Sequence, residues 1–284
     1  MVSIETMAVP GFSPFRPVCC TRLLAAVRHG LALVIALACL TSAARAAAAH
    51  RPPRHNEPSA TAAGVCAIGG GDVVLHGRRD SGMVALTFDA CPTSHVPGFS
   101  PEIIERLTAE HVPATFFVSG RWAERHPNEL RQITSVPFFE LAMHGYRHHH
   151  LRNGSPDPVV GEIEDGRHAL RDLGCAPAPL FRPPYGDHPQ VLADAAQRAG
   201  VTPILWDVAP GDPDPHETAA DLERTVLHEV QGGSIIVLHV NGRGVSTAAA
   251  LPTLLSGIRA RGLRFVTVSE LLGECADAHS ARGH

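Results

Sequence analysis

The chain contains no lysine, and all 24 of its basic residues are arginines. Schiff-base catalysis, pyridoxal-phosphate chemistry and the nucleotide-binding P-loop each need a lysine amine, so the sequence excludes these classes of site. No G-x-G-x-x-G turn follows the first strand-like run, which argues against a nucleotide as a partner. The absence of a G-x-S-x-G element argues against a serine hydrolase. A formal net charge of -4 gives no electrostatic reason to expect nucleic acid.

The chain also has no C-x-x-C pair among its seven cysteines, which argues against a structural zinc site. Three cysteines fall within the first 46 residues, and four remain in the rest of the chain: Cys66, Cys91, Cys175 and Cys275. An even number in an exported chain favours disulfide bonds, and the sequence leaves all three connectivities open. Cys91 stands apart because it lies two residues past Asp89, a candidate site residue.

The apolar run Leu31–Leu40 has about ten residues, fewer than the roughly 20 needed to span a bilayer. Arginines precede this run, and Ala44-Arg45-Ala46 follows it as a small-x-small cleavage site. We therefore predict a signal peptide over residues 1–46 and an exported protein that is periplasmic, secreted or associated with the cell envelope. An uncleaved anchor is the alternative, and only in that case is a membrane a partner.

Residues 47–64 are rich in Ala, Pro and charge and are predicted to be a linker. Residues 65–275 are predicted to form one domain, and residues 276–284 a polar tail. Within the domain, strand-like runs such as residues 201–208 alternate with helical patterns such as residues 121–133 through seven repeats without hairpin signals. This alternation predicts an α/β fold with a parallel sheet and helices outside it, either an open doubly wound sheet or a closed barrel.

Five residues with reactive or ligand-forming side chains each end a short apolar run: Asp89, His144, Arg182, Trp206 and His239. The carboxyl ends of parallel strands meet on one face of such a fold, so these residues are expected to converge there. One strand that ends in histidine means little. Five such endings predict an active site.

A histidine pair with metal-binding spacing follows one of these runs. His144 and His148 are four residues apart, and a helical turn after the strand would point both imidazoles to one side. Neutral imidazoles bind borderline metals such as zinc, cobalt or nickel. With 18 histidines in the chain, the spacing also arises by chance, and a solvated loop is the alternative interpretation.

Two ionisable pairs are expected among the remaining strand ends. Arg182 could hold the Asp89 carboxylate and keep it ionised, since a buried carboxylate needs a partner. Asp212 would raise the pKa of His239 if the two were hydrogen-bonded, as a general acid near neutral pH requires. A core histidine with satisfied hydrogen bonds is the structural alternative for His239.

These motifs resemble those of the polysaccharide deacetylases of the NodB-homology group, carbohydrate esterase family 4. The resemblance covers about Met83 to Leu272 and rests on five motifs in the family's order: Thr87-Phe-Asp89, His144 to His148, Phe181-Arg-Pro-Pro-Tyr-Gly186, Trp206 with Asp212, and Gly233 to His239. It implies a distorted (β/α) barrel of about seven parallel strands. It also implies a metal-dependent hydrolase of carbon–nitrogen bonds that removes N-acetyl groups from amino sugars of a polysaccharide, in peptidoglycan, a chitin-like polymer or an exopolysaccharide.

The resemblance assigns roles to residues of this chain. Asp89 is the catalytic base oriented by Arg182, and His239 is the general acid tuned by Asp212. His144 and His148 bind a divalent metal, with zinc expected first and cobalt or nickel as alternatives. Five residues are expected to bind the substrate: Pro184, Tyr185, Trp206, Val237 and Leu238. The expected partner is the polysaccharide alone, and the protein is expected to be a monomer.

The chain departs from the family at Ala90, where a second Asp normally serves as the third metal ligand. The third protein ligand is therefore open: Asp89 could turn to the metal, water or substrate could complete its shell, or a carboxylate could come from elsewhere. Loss of the metal gives a first alternative function, a non-catalytic glycan-binding relative. A second alternative is an esterase or amidase that acts on another acetylated substrate through the same site.

Overall fold

The computed structural model of this chain describes residues 73–94 and 98–273. The predicted signal peptide, linker and tail lie outside the described residues, as do Cys66 and Cys275, so these assignments stay predictions. Within the described part of the chain, no helix combines the length and the apolar character that a membrane span requires.

The core of the fold is one sheet of seven parallel strands. They are β1 (Met83–Ala90), β2 (Ala114–Val118), β3 (Phe139–Met143), β4 (Leu180–Phe181), β5 (Thr202–Pro203), β6 (Ile235–His239) and β7 (Arg264–Val266). Their spatial order is β5-β4-β3-β2-β1-β6, and β7 pairs with the first half of β1. Parallel neighbours need crossover connections, which the intervening helices supply.

The helices of the described region follow the strands in alternation. They are α1 (Pro101–Ala109), α2 (Gly120–Arg125), α3 (Pro127–Thr134), α4 (Asp157–Asp172), α5 (Leu192–Ala199), α6 (Ala219–Glu229) and α7 (Thr247–Ala260). Residues 268–273, after β7, are also helical. Proline at the first turn of α1, α3 and α4 is compatible with helix because the first N–H groups have no intrahelical acceptor.

Strand β1 is buried on both faces, which explains its nearly continuous apolar sequence. Leu86 and Phe88 pack with apolar residues of the surrounding helices, such as Leu107. Met83 and Ala85 belong instead to a second apolar cluster inside the curve of the sheet. Because side chains alternate along a strand, the same alternation decides which residues at the carboxyl end face the interior.

The sheet curls until its two edges meet. Val208, beyond β5, forms a parallel bridge with Ile236 of β6. Val74 forms another parallel bridge, with Ile204 next to β5. The prediction of a distorted (β/α) barrel of about seven parallel strands is therefore confirmed, and the open doubly wound sheet is ruled out.

Two sequence predictions of element boundaries are wrong, both because of proline. Residues 121–133 form two helices rather than one, since Pro127 lacks an N–H and starts α3. Residues 201–208 form only the two-residue strand β5, followed by single bridges at Ile204 and Val208. Pro203 cannot donate a ladder hydrogen bond, so this edge is short.

Candidate active site

The carboxyl ends of four strands bring together four of the residues that the sequence analysis singled out. Asp89 and His239 are directly paired positions of the adjacent strands β1 and β6. His144 immediately follows β3, and Arg182 immediately follows β4. Asp89, His144 and Arg182 are buried. The convergence follows from parallel topology, which places all these ends on one side of the barrel.

Asp89 is a buried carboxylate held by a buried guanidinium. Arg182 Nη1 donates to Asp89 Oδ1 at 2.7 Å, and the same nitrogen donates to Thr87 Oγ1 at 2.8 Å. Burial on its own would raise the pKa of Asp89, but the charge of Arg182, with smaller contributions from two nearby histidines, lowers it. The carboxylate is therefore ionised at neutral pH and able to accept a proton.

Arg182 is itself held in place from several sides. Its Nη2 donates to the Leu205 carbonyl at 3.2 Å. Its guanidinium carbon lies 3.9 Å from the ring centroid of Phe117 and 5.5 Å from that of Trp206. Stacking of a planar guanidinium between aromatic rings favours arginine over other cations at this position. Because Arg182 is held by these core contacts, its hydrogen bond fixes the orientation of the Asp89 carboxylate.

His144 and His148 form a neutral imidazole pair. The Nδ1 atom of His144 lies 2.8 Å from the Arg182 carbonyl, so Nδ1–H donates and Nε2 is left as the free nitrogen, 3.5 Å from Asp89 Oδ2. Burial lowers the pKa of His144. Burial lowers the pKa of His148 as well, and repulsion from a protonated His144 adds to this effect, which brings the pKa of His148 to about 3. A carbonyl that fixes the tautomer of a neutral histidine is typical of metal sites.

The two histidines meet through a loop, so the expected helical turn between them is wrong. Residues 144–148 are not helical, and Gly145 has a positive φ of 72°. Glu162 of α4 holds the loop, because its Oε2 accepts from the backbone N–H groups of Tyr146 and Arg147 at 2.9 Å each. The imidazole centroids lie 4.8 Å apart. No local sequence pattern predicts this role of Glu162, because helix packing brings it to the loop.

Strained backbone is concentrated beside this pair. His148 has a φ of 62° and Tyr185 a φ of 58°, and the remaining described non-glycine residue with positive φ is His111. The rings of His148 and Tyr185 lie 4.5 Å apart. Left-handed backbone at non-glycine residues is costly and clusters at functional sites. The strain marks the same region as the buried charges.

His239 carries a buried carboxylate partner, as the sequence analysis expected. Its Nδ1 lies 2.9 Å from Asp212 Oδ1, and Asp212 Oδ2 accepts from the His239 backbone N–H at 2.7 Å. Thr247 Oγ1 donates to the same oxygen at 2.7 Å. Burial would lower the pKa of His239, but the charge of Asp212 and its hydrogen bond raise it overall. Nδ1–H faces Asp212, which leaves Nε2 to exchange a proton.

The predicted groove residues separate into two groups. Tyr185 is 44% exposed and stacks on His150 at 3.9 Å between ring centroids. Trp206 is half-buried beside Arg182, whereas Pro184 is buried in the turn before Tyr185. Tyr185 and Trp206 therefore offer aromatic surface near the histidines, and Pro184 supports the turn.

The prediction that Leu238 lines the groove is wrong. Leu238 is fully buried and packs with the helix-facing cluster. Strand alternation is the reason: Val237 and His239 share one face of the sheet, and Leu238 between them points to the other face. Val237 pairs with Thr87, two residues before the Asp89–His239 pair on each strand, so it stays on the site's face.

A buried thiol lies at the histidine pair. Ligand atoms of Cys91, His144 and His148 all lie within 4.8 Å of one another. Burial raises the pKa of the Cys91 thiol to about 11, so without a bound cation it is neutral. Two imidazoles and a sulfur match the donors that zinc and related metals prefer, so the residues fit a divalent metal. The sequence singles out Cys91 only by its position two residues past Asp89, which does not assign it to the metal.

The expectation of disulfides is wrong for the two cysteines that the structure describes. Cys91 and Cys175 both carry free thiols. Cys91 follows the carboxyl end of β1, whereas Cys175 precedes the amino end of β4. In a parallel sheet these positions lie at opposite ends, too far apart for an S–S bond.

Comparisons with known proteins agree with this geometry. Residues 76–204 match the sequence profile of the polysaccharide deacetylases. A peptidoglycan-N-acetylglucosamine deacetylase of Bacillus cereus is 33% identical over 195 residues, which are 67% of this chain and 88% of that protein. The chain belongs to the polysaccharide deacetylase family. The predicted family, and with it the deacetylase class of carbon–nitrogen hydrolases, is confirmed.

Solved structures support the same assignment. The peptidoglycan deacetylase PdaC from Bacillus subtilis is similar with a TM-score of 0.60 and 26% identity, over 72% of this chain and 96% of that one. A CE4 family pseudoenzyme from Bacillus anthracis has a TM-score of 0.64 and 23% identity, over 71% of this chain and 69% of that one. The second likeness bears on the fold alone.

Proposed function

We propose that this chain is an exported, metal-dependent deacetylase that hydrolyses N-acetyl groups of amino sugars in a polysaccharide. The observation that carries the proposal is the pairing of Asp89 with His239 on adjacent strands. Asp89 is kept ionised by Arg182, and His239 is kept protonated to higher pH by Asp212. Amide hydrolysis needs one group that takes a proton from water and another that gives a proton to the leaving amine.

The residues divide the chemistry as follows. A divalent metal held by His144 and His148, zinc first and cobalt or nickel as alternatives, would polarise the acetyl carbonyl and lower the pKa of water. Asp89 removes the proton of the attacking water. The water oxygen bonds to the carbonyl carbon, and a backbone N–H near Tyr185 stabilises the oxyanion. His239 Nε2 then protonates the nitrogen as the carbon–nitrogen bond breaks, which gives acetate and a free amine.

The substrate class is supported by the aromatic surface and by the relatives. Tyr185 and Trp206 provide faces on which a sugar ring can stack beside the histidine pair. Matched relatives act on peptidoglycan N-acetylglucosamine, as their names state. Peptidoglycan is therefore the first substrate to test, followed by chitin oligomers and exopolysaccharide. A predicted signal over residues 1–46 would deliver the enzyme to such polymers.

Acetate release from defined polymers tests the proposal. The purified full chain is incubated with peptidoglycan, chitin oligomers and acetylated xylan, with and without added zinc and with a chelator. We expect acetate and new free amines from an amino-sugar polymer, lost with the chelator and restored by metal. Asp89→Asn and His239→Ala should each lower kcat by about 10²–10⁴-fold.

Other results would favour the alternative functions. Acetate from xylan alone would indicate an esterase that uses the same site. Glycan binding without any acetate release, from a protein that also fails to bind metal, would indicate a non-catalytic relative. Unchanged activity of Asp89→Asn would contradict the assignment of the base.

A further inference from the structure

We propose that Cys91 is the third protein ligand of the metal site, in the role that the family gives to the carboxylate at the position of Ala90. The inference rests on the proposed function, because it concerns the metal that His144 and His148 would hold. It replaces the carboxylate and water ligands that the sequence analysis considered with a thiolate from the same strand end.

The length of β1 explains why residue 91 takes this role. β1 continues through Ala90, which pairs with Val118, and the Ser119 N–H donates to the Ala90 carbonyl at 3.0 Å. Ala90 is fully buried and packs with Val118 on the helix-facing side. Alternation then returns residue 91 to the face of Asp89. A carboxylate at position 90 of this backbone would point into an apolar layer.

The distances are compatible with direct ligation. The sulfur of Cys91 and a nitrogen each of His144 and His148 lie within 4.8 Å of one another, and all three residues are buried. Tetrahedral zinc, with bonds of about 2.3 Å to sulfur and about 2.0–2.1 Å to nitrogen, puts its ligand atoms roughly 3.3–3.7 Å apart. Side-chain rotations that move these ligand atoms by roughly an ångström would bring them to these distances without movement of β1.

The surroundings of the sulfur suit a thiolate. The fully buried amide of Asn241 donates to Cys91 Sγ at 3.2 Å and to the Cys91 carbonyl at 2.7 Å. Arg243 Nη1 lies 3.8 Å from the same sulfur. Hydrogen-bond donors directed at a ligand stabilise its charged form and fix its position. A thiolate beside the Asp89 carboxylate would place two negative charges together, which a divalent cation balances.

A buried hydroxyl without a partner points to a ligand at the same level of the barrel. Ser119 is fully buried, and its Oγ has no hydrogen-bond partner. It follows Val118 at the end of β2, so alternation puts its side chain on the face of Phe117 and Asp89. Buried polar groups are nearly always paired. A hydrated cation at these strand ends would supply the missing partner.

Ligation by sulfur has a consequence for metal choice. Thiolate and imidazole select zinc, cobalt and related metals, whereas magnesium and calcium prefer oxygen ligands. The family's carboxylate ligand is harder than a thiolate. A site of two histidines and one cysteine should therefore bind cobalt and zinc and discriminate strongly against magnesium.

Cobalt spectroscopy on the full chain tests the inference without reference to activity. Wild type, Cys91→Ser, Cys91→Asp, His144→Ala and the control Cys175→Ser are titrated with Co²⁺, and the metal content and the near-ultraviolet thiolate-to-cobalt charge-transfer band are measured. We expect one cobalt per chain and this band in wild type and in Cys175→Ser. Cys91→Ser should lose the band and bind metal more than roughly 100-fold more weakly, since even outer partners of ligands cost about 10–100-fold.

The variants separate failure of this inference from failure of the proposed function. Cys91→Asp should recover much of the cobalt affinity without the band, and circular dichroism confirms that each metal-free variant is folded. Tight cobalt binding that His144→Ala abolishes but Cys91→Ser leaves unchanged would overturn ligation by Cys91 and leave the histidine site intact. No cobalt binding by wild type, or equal binding by His144→Ala, would overturn the metal site as a whole.

Discussion

Asp89 and His239 occupy paired positions on neighbouring parallel strands, and each is held by its own buried partner of opposite charge. Arg182 lowers the pKa of Asp89 against the effect of burial. Asp212 raises the pKa of His239, again against burial. Two adjacent groups are thereby driven toward opposite protonation states at neutral pH, which is how a site separates its base from its acid.

Loss of the Arg182 charge should move the acidic limb of the pH profile. In Arg182→Gln the pKa of Asp89 rises, because an opposite charge at this distance lowers a carboxyl pKa by about 1–3 units. The base must be ionised, so kcat/KM should begin to fall at a pH higher by about 1–3 units. The measurement is kcat/KM for acetate release against pH, on protein shown to be folded by circular dichroism.

The control for this variant is Arg198→Gln, whose partner Asp157 lies on the surface. Its pH profile should match that of wild type. An acidic limb that does not move in Arg182→Gln would show that Asp89 is not the titrating base. The folding stability of Arg182→Gln should fall by about 3–5 kcal/mol, since the buried Asp89 carboxylate is left without its partner.

Loss of the Asp212 charge should move the opposite limb. In Asp212→Asn the pKa of His239 falls, because burial, which lowers it, is no longer outweighed. A general acid must be protonated, so activity is lost as the pH rises through its pKa, and the basic limb should shift to lower pH. The kcat should also fall by about 10²-fold or more, the contribution of general acid catalysis.

Asp172→Asn serves as the matched control, since Asp172 is an exposed carboxylate at the end of α4. The basic limb of this control should stay where it is in wild type. A basic limb that is identical in wild type and Asp212→Asn would assign the acid to another residue.

The sequence could place Asp89, Arg182 and His239 together because each ends an apolar run, and parallel topology brings such ends to one side. It could not assign Cys91, because the face of a residue near a strand end depends on where the strand stops. β1 runs through Ala90. A strand that is longer or shorter by one residue would exchange the faces to which Ala90 and Cys91 point. The same alternation explains the wrong prediction for Leu238.

Contacts between segments that are far apart in the sequence leave no local sequence pattern from which they could be predicted. Glu162 lies on α4 and reaches the histidine loop through two backbone N–H groups. Asn241 follows β6 and reaches the sulfur of Cys91, which follows the neighbouring strand β1. Both depend on packing between elements, whereas the sequence pattern reports only periodicity within an element.

Removal of the loop's anchor should weaken metal binding more than chemistry. In Glu162→Ala the N–H groups of Tyr146 and Arg147 lose their acceptor, so His148 is no longer held near His144. We expect metal affinity to fall by about 10–100-fold, as for other outer partners of ligands, with kcat near the wild-type value at saturating metal. Isothermal titration with zinc and acetate release at high zinc measure the two effects.

Glu164→Gln is the control on the same helix, because Glu164 pairs with Arg167 rather than with the loop. It should bind zinc as wild type does. Glu162→Gln should recover part of the affinity, since its amide oxygen can accept one of the two hydrogen bonds. Wild-type zinc affinity in Glu162→Ala would show that the loop holds its shape without this anchor.

Two glycines of α4 should respond in opposite ways to the same substitution. Glycine inside a helix is less stable than alanine by about 0.5–1 kcal/mol. Gly161 has no atom within 4 Å of the position of an added Cβ, so Gly161→Ala should stabilise the protein by about that amount. At Gly166 the added Cβ would lie 2.6 Å from the Gly145 carbonyl oxygen, which belongs to the histidine loop.

Gly166→Ala must therefore push the loop away or strain the helix. The expected cost is about 1–3 kcal/mol, which outweighs the gain in helix propensity. Displacement of Gly145 also moves His144 and His148, so zinc affinity should fall in Gly166→Ala and stay unchanged in Gly161→Ala. Urea unfolding and zinc titration of both variants test this. Equal stability of the two variants would mean that close packing of α4 does not position the loop.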